Sequence, residues 1–151
     1  EACPVSRFEP GWDPVWSEAR KGLTHVRRDH AWLNWRFTLQ PSVRYERLVF
    51  RLGGSVCGYA VLRPGGERCR LVDLAVLPEA LSGGLARCLE HAKALGGRVL
   101  QFPVFSPSLE PALLQNGFRK EGEWRSLLAG PGAPGGSWFL SSADSDQEHP
   151  E

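Results

Sequence analysis

Two features of the sequence have residue types and spacing that could do chemistry. Asp73 is the only acidic residue inside the apolar run Leu71-Val72-Asp73-Leu74-Ala75-Val76-Leu77. A few residues on, Gly83 and Gly84 stand where a helical pattern opens. A carboxylate in an apolar strand is partly desolvated, which raises its pKa toward that of a useful general base. A strand feeding a glycine-opened helix gathers free backbone N–H groups and a positive dipole end in one place, a setting suited to a phosphate-bearing ligand. Each feature also has a plainer structural account. Asp73 can be a carboxylate held by backbone N–H groups or by an arginine such as Arg36, on a strand face shared with Leu71 and Ala75. The glycines can simply shorten a turn and let helix pack closely on strand, because Leu85, Cys88, Leu89, Ala92 and Leu95 form an ordinary buried stripe. Glu79 is a weaker base candidate, better suited to a solvated turn.

The elements that must position these residues follow from periodicity. Residues 68–77 read as a buried strand, with a turn through Pro78 and Glu79 and a helix from about 83 to 95. Residues 98–104 then read as a strand parallel to the first, joined to it by a crossover. Upstream, 45–52 alternates with period two, Gly53-Gly54 turns the chain, and 55–63 is the next strand. A turn over 64–67 leads back into 68–77, so three strands form an antiparallel meander in which Cys69 faces about Leu62. Before the meander, 4–8 is a short strand. Asp13 and Pro14 then open a helix as N-cap and first helical residue, with Val15, Trp16, Ala19 and Leu23 on one side. A second helix starts at Asp29 and is stopped by Gln40-Pro41. Its expected core stripe is Trp32, Trp35 and Leu39, widened by Leu33 and Phe37, and packing is the default role of Tyr45 and Tyr59. Downstream, 108–116 is a helix ended by Gly117, and 118–128 with 137–141 reads as a final antiparallel pair around a glycine- and proline-rich loop.

Composition bounds the rest. The chain has 151 residues, 42% of them hydrophobic and 23% charged, with a formal net charge of +1. That supports a single globular domain over 1–143, with an acidic and frayed tail at 144–151. The near-neutral charge argues against a nucleic-acid groove, and no apolar run reaches the roughly 20 residues of a membrane helix. A cytoplasmic protein is the expectation. The four cysteines and four histidines show no metal-ligand spacing, so no metal site and reduced thiols are expected. A start at Glu1 and the lack of any methionine point to a processed piece of a longer product.

The order of elements, together with the stretches LAVLPE…GGLA and LLQNGF, resembles the GNAT superfamily of acyl-CoA-dependent N-acyltransferases over residues 4–141. RDHAWLNWRF and WFLSSADSD also resemble a group of bacterial GNAT proteins in which such a domain follows another. The resemblance implies an α/β (α+β) fold with a mixed, splayed sheet of six or seven strands and about four helices. It implies acetyl-CoA or another acyl-CoA as co-substrate and a small-molecule or protein amine as acceptor. The pantetheine arm would lie along the backbone of Leu74, Ala75 and Val76. The pyrophosphate would rest on Ser82, Gly83, Gly84, Leu85 and Ala86, with Arg87 adding a side-chain contact and Asp73 serving as base. A preceding domain of the same product, or a second copy, is the implied protein partner. Three positions depart from the family pattern: Leu81 replaces an Arg or Gln, Leu113 a Tyr and Ser106 an Asn. These departures keep open a catalytically inactive module with an interaction or structural role. A V-shaped gap between strands 68–77 and 98–104 is the geometry that favours the enzyme.

Overall fold

The computed structural model describes residues 1–122 and 135–144. The strands of its main sheet run in the order β1 (Ala2–Pro4), β3 (Glu46–Leu52), β4 (Ser55–Arg63), β5 (Arg68–Val76) and β6 (Val99–Gln101). Two short pairs complete the strands: β2 (Leu23–Thr24) with β8 (Ser137–Trp138), and β7 (Val104–Phe105) with β9 (Leu140–Ser141). The helices are α1 (Asp13–Ala19), α2 (His30–Phe37), α3 (Leu81–Ala94) and α4 (Glu110–Gln115). The class is the expected mixed α/β one, but the sheet has five strands among the described residues rather than six or seven.

The meander forms as its alternation predicts, with β3–β4 and β4–β5 antiparallel and β5–β6 parallel. A bulge between Val61 and Leu62 sets the β4–β5 register, so Leu62 lies opposite Leu71 and not Cys69. Cys57 sits at the other end of the pair, its carbonyl accepting from the Leu77 N–H at 2.8 Å, and all four cysteines are free thiols. Burial of the Cys88 thiol pushes its pKa up to about 12. The strands are covered on both faces. One face packs Leu48, Ala60, Leu62 and Leu71 against Leu85 and Cys88 of α3. The other packs Val49, Tyr59, Val61 and Val72 against Phe8, Trp16, Leu33 and Phe37.

The amino-terminal elements differ from expectation in instructive ways. The first strand is Ala2–Pro4, not 4–8. Phe8 instead ends in the core, where the Asn34 side chain pins it by accepting from its N–H at 2.8 Å and donating to its carbonyl at 2.9 Å. Asp13 does not cap its own helix, which is entered from a 3-10 turn at Pro10–Trp12. Its carboxylate accepts from the His30 N–H and meets His30 Nδ1, each at 2.7 Å, and so ties the start of α2 to α1. Asp29 is the N-cap of α2 as expected, accepting from the Trp32 N–H at 2.8 Å. The face that α2 buries is Leu33, Arg36 and Phe37, whereas Trp35 is 55% and Leu39 70% exposed. Of the expected stripe, Trp32 packs against the core and Leu33 and Phe37 are buried in it, while Trp35 and Leu39 turn to solvent. The helix ends at Phe37, before Leu39 can join any helical face.

Three further corrections concern the later elements. A 3-10 turn at Pro78–Ala80 leads directly into α3, which starts at Leu81 rather than about 83. Residues 118–122 form no strand, the remainder of the expected strand 118–128 lies outside the described residues, and residues 137–141 pair with β2 and β7 instead. Asp144, expected to open a frayed tail, is ion-paired to Arg28 at 2.6 Å. Among the described residues no helix is long and apolar enough to cross a membrane.

Candidate functional site

The parallel strands β5 and β6 are joined only at Arg68–Val99, Cys69–Leu100 and Arg70–Gln101. Beyond Arg70 they separate, because β7 turns away to pair with β9. The carboxyl end of β5 thus keeps one backbone edge free of a strand partner. That edge carries the carbonyls of Val72 and Leu74, which accept from the Ser142 hydroxyl at 3.4 Å and from Arg20 Nη2 at 3.0 Å. Side chains from β9 and its following turn fill the deep end of the gap. The mouth stays open as a cleft of about 210 Å³ between Leu74, Ala75 and Val76 on one side and Ser106, Ser108 and Leu109 on the other. Leu81 and Phe139 are on its walls too, and Arg20 is its one charged lining residue.

Behind this edge lies a buried polar network. Asp73 is fully buried, and its two oxygens take four donors. Oδ1 accepts from Arg20 Nη2 at 3.0 Å and from the Ser141 hydroxyl at 3.1 Å. Oδ2 accepts from Arg28 Nε at 3.0 Å and from the Tyr59 hydroxyl at 2.8 Å. Arg28 continues to Asp144 and stacks on Trp32, its guanidinium carbon 4.2 Å from the ring centre, while that of Arg20 lies 4.6 Å from the Phe139 ring. Burial by itself would push the Asp73 carboxyl up. The Arg20 and Arg28 guanidiniums, with the Tyr59 hydroxyl, outweigh it and hold the pKa down at about 2. The expectation of a raised pKa is therefore reversed. Such a carboxylate is a very weak base with every lone pair engaged, which removes the basis for giving Asp73 the proton-abstracting role. Desolvation also drives the Tyr59 hydroxyl far above its ordinary pKa, so it stays a neutral donor. Arg36, the partner first considered for Asp73, donates to the Ala143 carbonyl at 3.4 Å.

No family model matches the sequence, and no curated protein matches it. Solved structures do match. One is a ribosomal-protein-alanine N-acetyltransferase from Brucella melitensis biovar Abortus 2308, 11% identical, with 85% of this chain and 97% of that one covered at a TM-score of 0.57. Another is an aminoglycoside antibiotic 6'-N-acetyltransferase from Acinetobacter baumannii, 13% identical over 86% and 97% of the two chains, with a TM-score of 0.52. A tandem GNAT protein from the clavulanic acid biosynthesis pathway is 21% identical, covering 78% of this chain but 43% of its own, with a TM-score of 0.53. The chain has the GNAT fold. The splayed pair β5–β6 and the glycine-bearing α3 are the parts of that fold on which the sequence argument rested.

Within this GNAT fold the expected residues separate into two groups. Leu74, Ala75 and Val76 line the open cleft, and Ser106, one of the three departures from the family pattern, lines it opposite. Leu81, a second departure, lines the cleft and packs on the core, and Leu113, the third, also packs on that core. Ser82 is exposed, and its hydroxyl donates to the Asn116 side chain at 2.9 Å, linking the start of α3 to the end of α4. Leu85 is fully buried in the core and Ala86 half-buried. Arg87 lies on the solvent side of α3 in an ion pair with Glu90 and is not on the cleft wall. Arg20, Arg28, Tyr59, Ser141 and Asp144 were missed as polar partners. Tyr59 was readable: it lies opposite Ala75, two residues from Asp73 along the neighbouring strand, where diagonal side chains meet.

The two glycines also separate. A Cβ on Gly84 would lie 3.3 Å from Val76 Cγ2 and 3.4 Å from Phe50 Cε2, whereas one on Gly83 meets nothing within 4 Å. Gly84 therefore permits the close approach of α3 to the sheet, and Gly83 has no packing reason to lack a side chain. Gly83→Ala should stabilise the folded state by about 1 kcal/mol through helix propensity. If the first turn of α3 holds the pyrophosphate that the family resemblance implies, the same change should weaken its binding. Urea unfolding and calorimetric titration of the same variant read the two effects separately. A gain in stability with unchanged affinity would detach Gly83 from any ligand role.

Proposed function

We propose that this domain holds an acyl-CoA thioester in the cleft between β5, the start of α3 and the segment that precedes α4, and transfers its acyl group to an amine. The carrying observation is the backbone edge of β5 at Leu74–Val76, which has no strand partner, though Arg20 takes the Leu74 carbonyl, and which opens onto a largely apolar cleft beside the first turn of α3. Extended backbone of that kind offers alternate N–H and C=O groups to an amide-bearing arm, as a sheet edge does to an added strand. The α3 first turn would face the phosphates through backbone dipoles alone, since Leu81 supplies no charge there. The thioester supplies the activated acyl carbon, and the chain orients it.

Proton removal from the amine needs a group other than Asp73. On the far side of Arg20 a second cleft, of about 150 Å³, is lined by Asp13, Ser17, His25 and Asp29. His25 Nδ1 lies 2.8 Å from the Val26 carbonyl, and a carbonyl can only accept, so Nδ1 carries the hydrogen. With Nδ1 so engaged, Nε2 of His25 is the ring nitrogen left to accept a proton from an amine entering that side.

Calorimetric titration with acetyl-CoA tests the binding half of this reading. Release of free CoA thiol in the presence of primary amines, small and peptidic, tests the transfer half. Micromolar binding with amine-dependent thiol release is the expected result. Binding without thiol release would favour a non-catalytic ligand-holding module. The Asp73 carboxylate is fully engaged by four donors of the fold and offers no base, which is the observation that keeps this second reading in play.

A further inference from the structure

Arg20 follows the last residue of α1, and its side chain is 2% exposed. Its Nη2 is heavily used, donating to Asp73, to the Tyr59 hydroxyl at 3.2 Å and to the Leu74 carbonyl at 3.0 Å. Nε and Nη1 are buried and have no hydrogen-bond partner among the described residues. Buried donors are rarely left this way, and an unpaired guanidinium nitrogen in an apolar setting is costly. Arg20 is also the one residue that lines both clefts.

The charge balance narrows what the free donors are for. Arg20 and Arg28 are matched by Asp73 and Asp144, so the network is neutral as it stands. A ligand with a permanent negative charge would leave it unbalanced, whereas an oxygen that is neutral in the ground state and gains charge only transiently fits. Such an oxygen becomes anionic only as an amine attacks its carbon. We propose that Arg20 is a catalytic residue whose Nε and Nη1 donate to the thioester carbonyl oxygen of the bound acyl-CoA, polarising it and holding the oxyanion of the tetrahedral intermediate. The amine lone pair forms the new C–N bond and the carbonyl π pair moves onto this oxygen. On collapse the C–S bond breaks, the thiolate leaves with its electron pair, and the ammonium proton passes to the basic group on the amine side. This rests on the acyl-CoA reading above, and the test keeps the two apart.

The test compares acetyl-CoA with S-ethyl-CoA, a thioether of the same size without the carbonyl oxygen, and with succinyl-CoA. Wild-type protein should bind acetyl-CoA about tenfold or more tighter than the thioether, as expected for a charge-assisted hydrogen bond. Arg20→Lys keeps a cation on Asp73 but loses the two donors, and should bring the two ligands within about twofold of each other. Equal binding of acetyl-CoA and the thioether by wild-type protein would overturn the proposal and leave the cofactor reading standing. Preference for succinyl-CoA over acetyl-CoA would overturn it in favour of a carboxylate at Arg20. Failure of all three to bind would overturn the acyl-CoA reading and this proposal with it. Should Arg20→Lys fail to fold, a downfield shift of the [1-13C]acetyl-CoA carbonyl on binding wild-type protein reads the same contact, and its absence would count against it.

Discussion

Asp73→Asn should cost this domain about 3 to 5 kcal/mol of folding stability, a large share of what a chain of this size has. The amide keeps the shape of the carboxylate but not its charge. Arg28 would retain Asp144, 2.6 Å from Nη2, whereas Arg20 would be left as a buried cation with no anion. The amide nitrogen would also confront one of the donors that now point at Asp73, from Tyr59, Ser141 and the two arginines. Breaking a buried pair from one side is costly for this reason. Removing both charges is not, so Asp73→Asn with Arg20→Met should recover part of the loss, and a double-mutant cycle by urea unfolding measures how much.

The same carboxylate gives the protein an acid limb. Its folded pKa of about 2 lies below the unfolded value near 3.8, so the unfolded chain binds the proton first as pH falls. The stabilisation is complete above about pH 4 and is lost as pH drops toward 2. It amounts to roughly 2 kcal/mol for a gap of nearly two units. The Asn variant should lack this component of the limb while being less stable at every pH. If wild type and variant lose stability in parallel between pH 4 and 2, the lowered Asp73 pKa is wrong.

Why the sequence revealed Asp73 as special but not which way it titrates is a matter of distance along the chain. Its neighbours in LVDLAVL are apolar, and local reading gives desolvation alone. The cations arrive from 53 and 45 residues away, on segments whose packing no periodicity specifies. A rule that a buried strand carboxylate needs a cation would have prompted a search among the arginines. Arg20, four residues after the core residue Trp16 and just past the end of α1, was findable that way. The meander and the β5–α3–β6 unit were legible because period two, glycine turns and a buried helical stripe all pointed to the same elements. α2 was legible in part: its Asp29 cap and the burial of Leu33 and Phe37 followed the pattern, but Trp35 and Leu39, which weigh heavily in a hydrophobicity count, are exposed. The open edge at Leu74–Val76 followed from the family resemblance, while the Arg20 junction between the clefts had no local signature.

Gly58→Ala should be the most damaging glycine substitution at the cleft, lowering stability by about 3 kcal/mol and weakening acyl-CoA binding together. Gly58 lies opposite Val76 in the β4–β5 pair and beside the irregularity at Phe50–Arg51 of β3. A Cβ there would sit 2.7 Å from the Ala75 carbonyl oxygen, 2.7 Å from Val76 Cα and 2.9 Å from Val76 Cγ2. Two of these three atoms are backbone, so rotating a side chain cannot relieve the overlap, and β5 must move. Any such shift disturbs the close packing of Val76 on α3 at Gly84, where a built Cβ would already lie 3.3 Å from Val76 Cγ2. The displaced segment is the one whose free edge and helix turn form the proposed cofactor wall. Trimming Val76 to alanine in the same chain removes only the contact to Cγ2, so Gly58→Ala with Val76→Ala should be no more stable than Gly58→Ala alone. A clear rescue by Val76→Ala would mean that the side chain, not the β5 backbone, sets how close β4 can come.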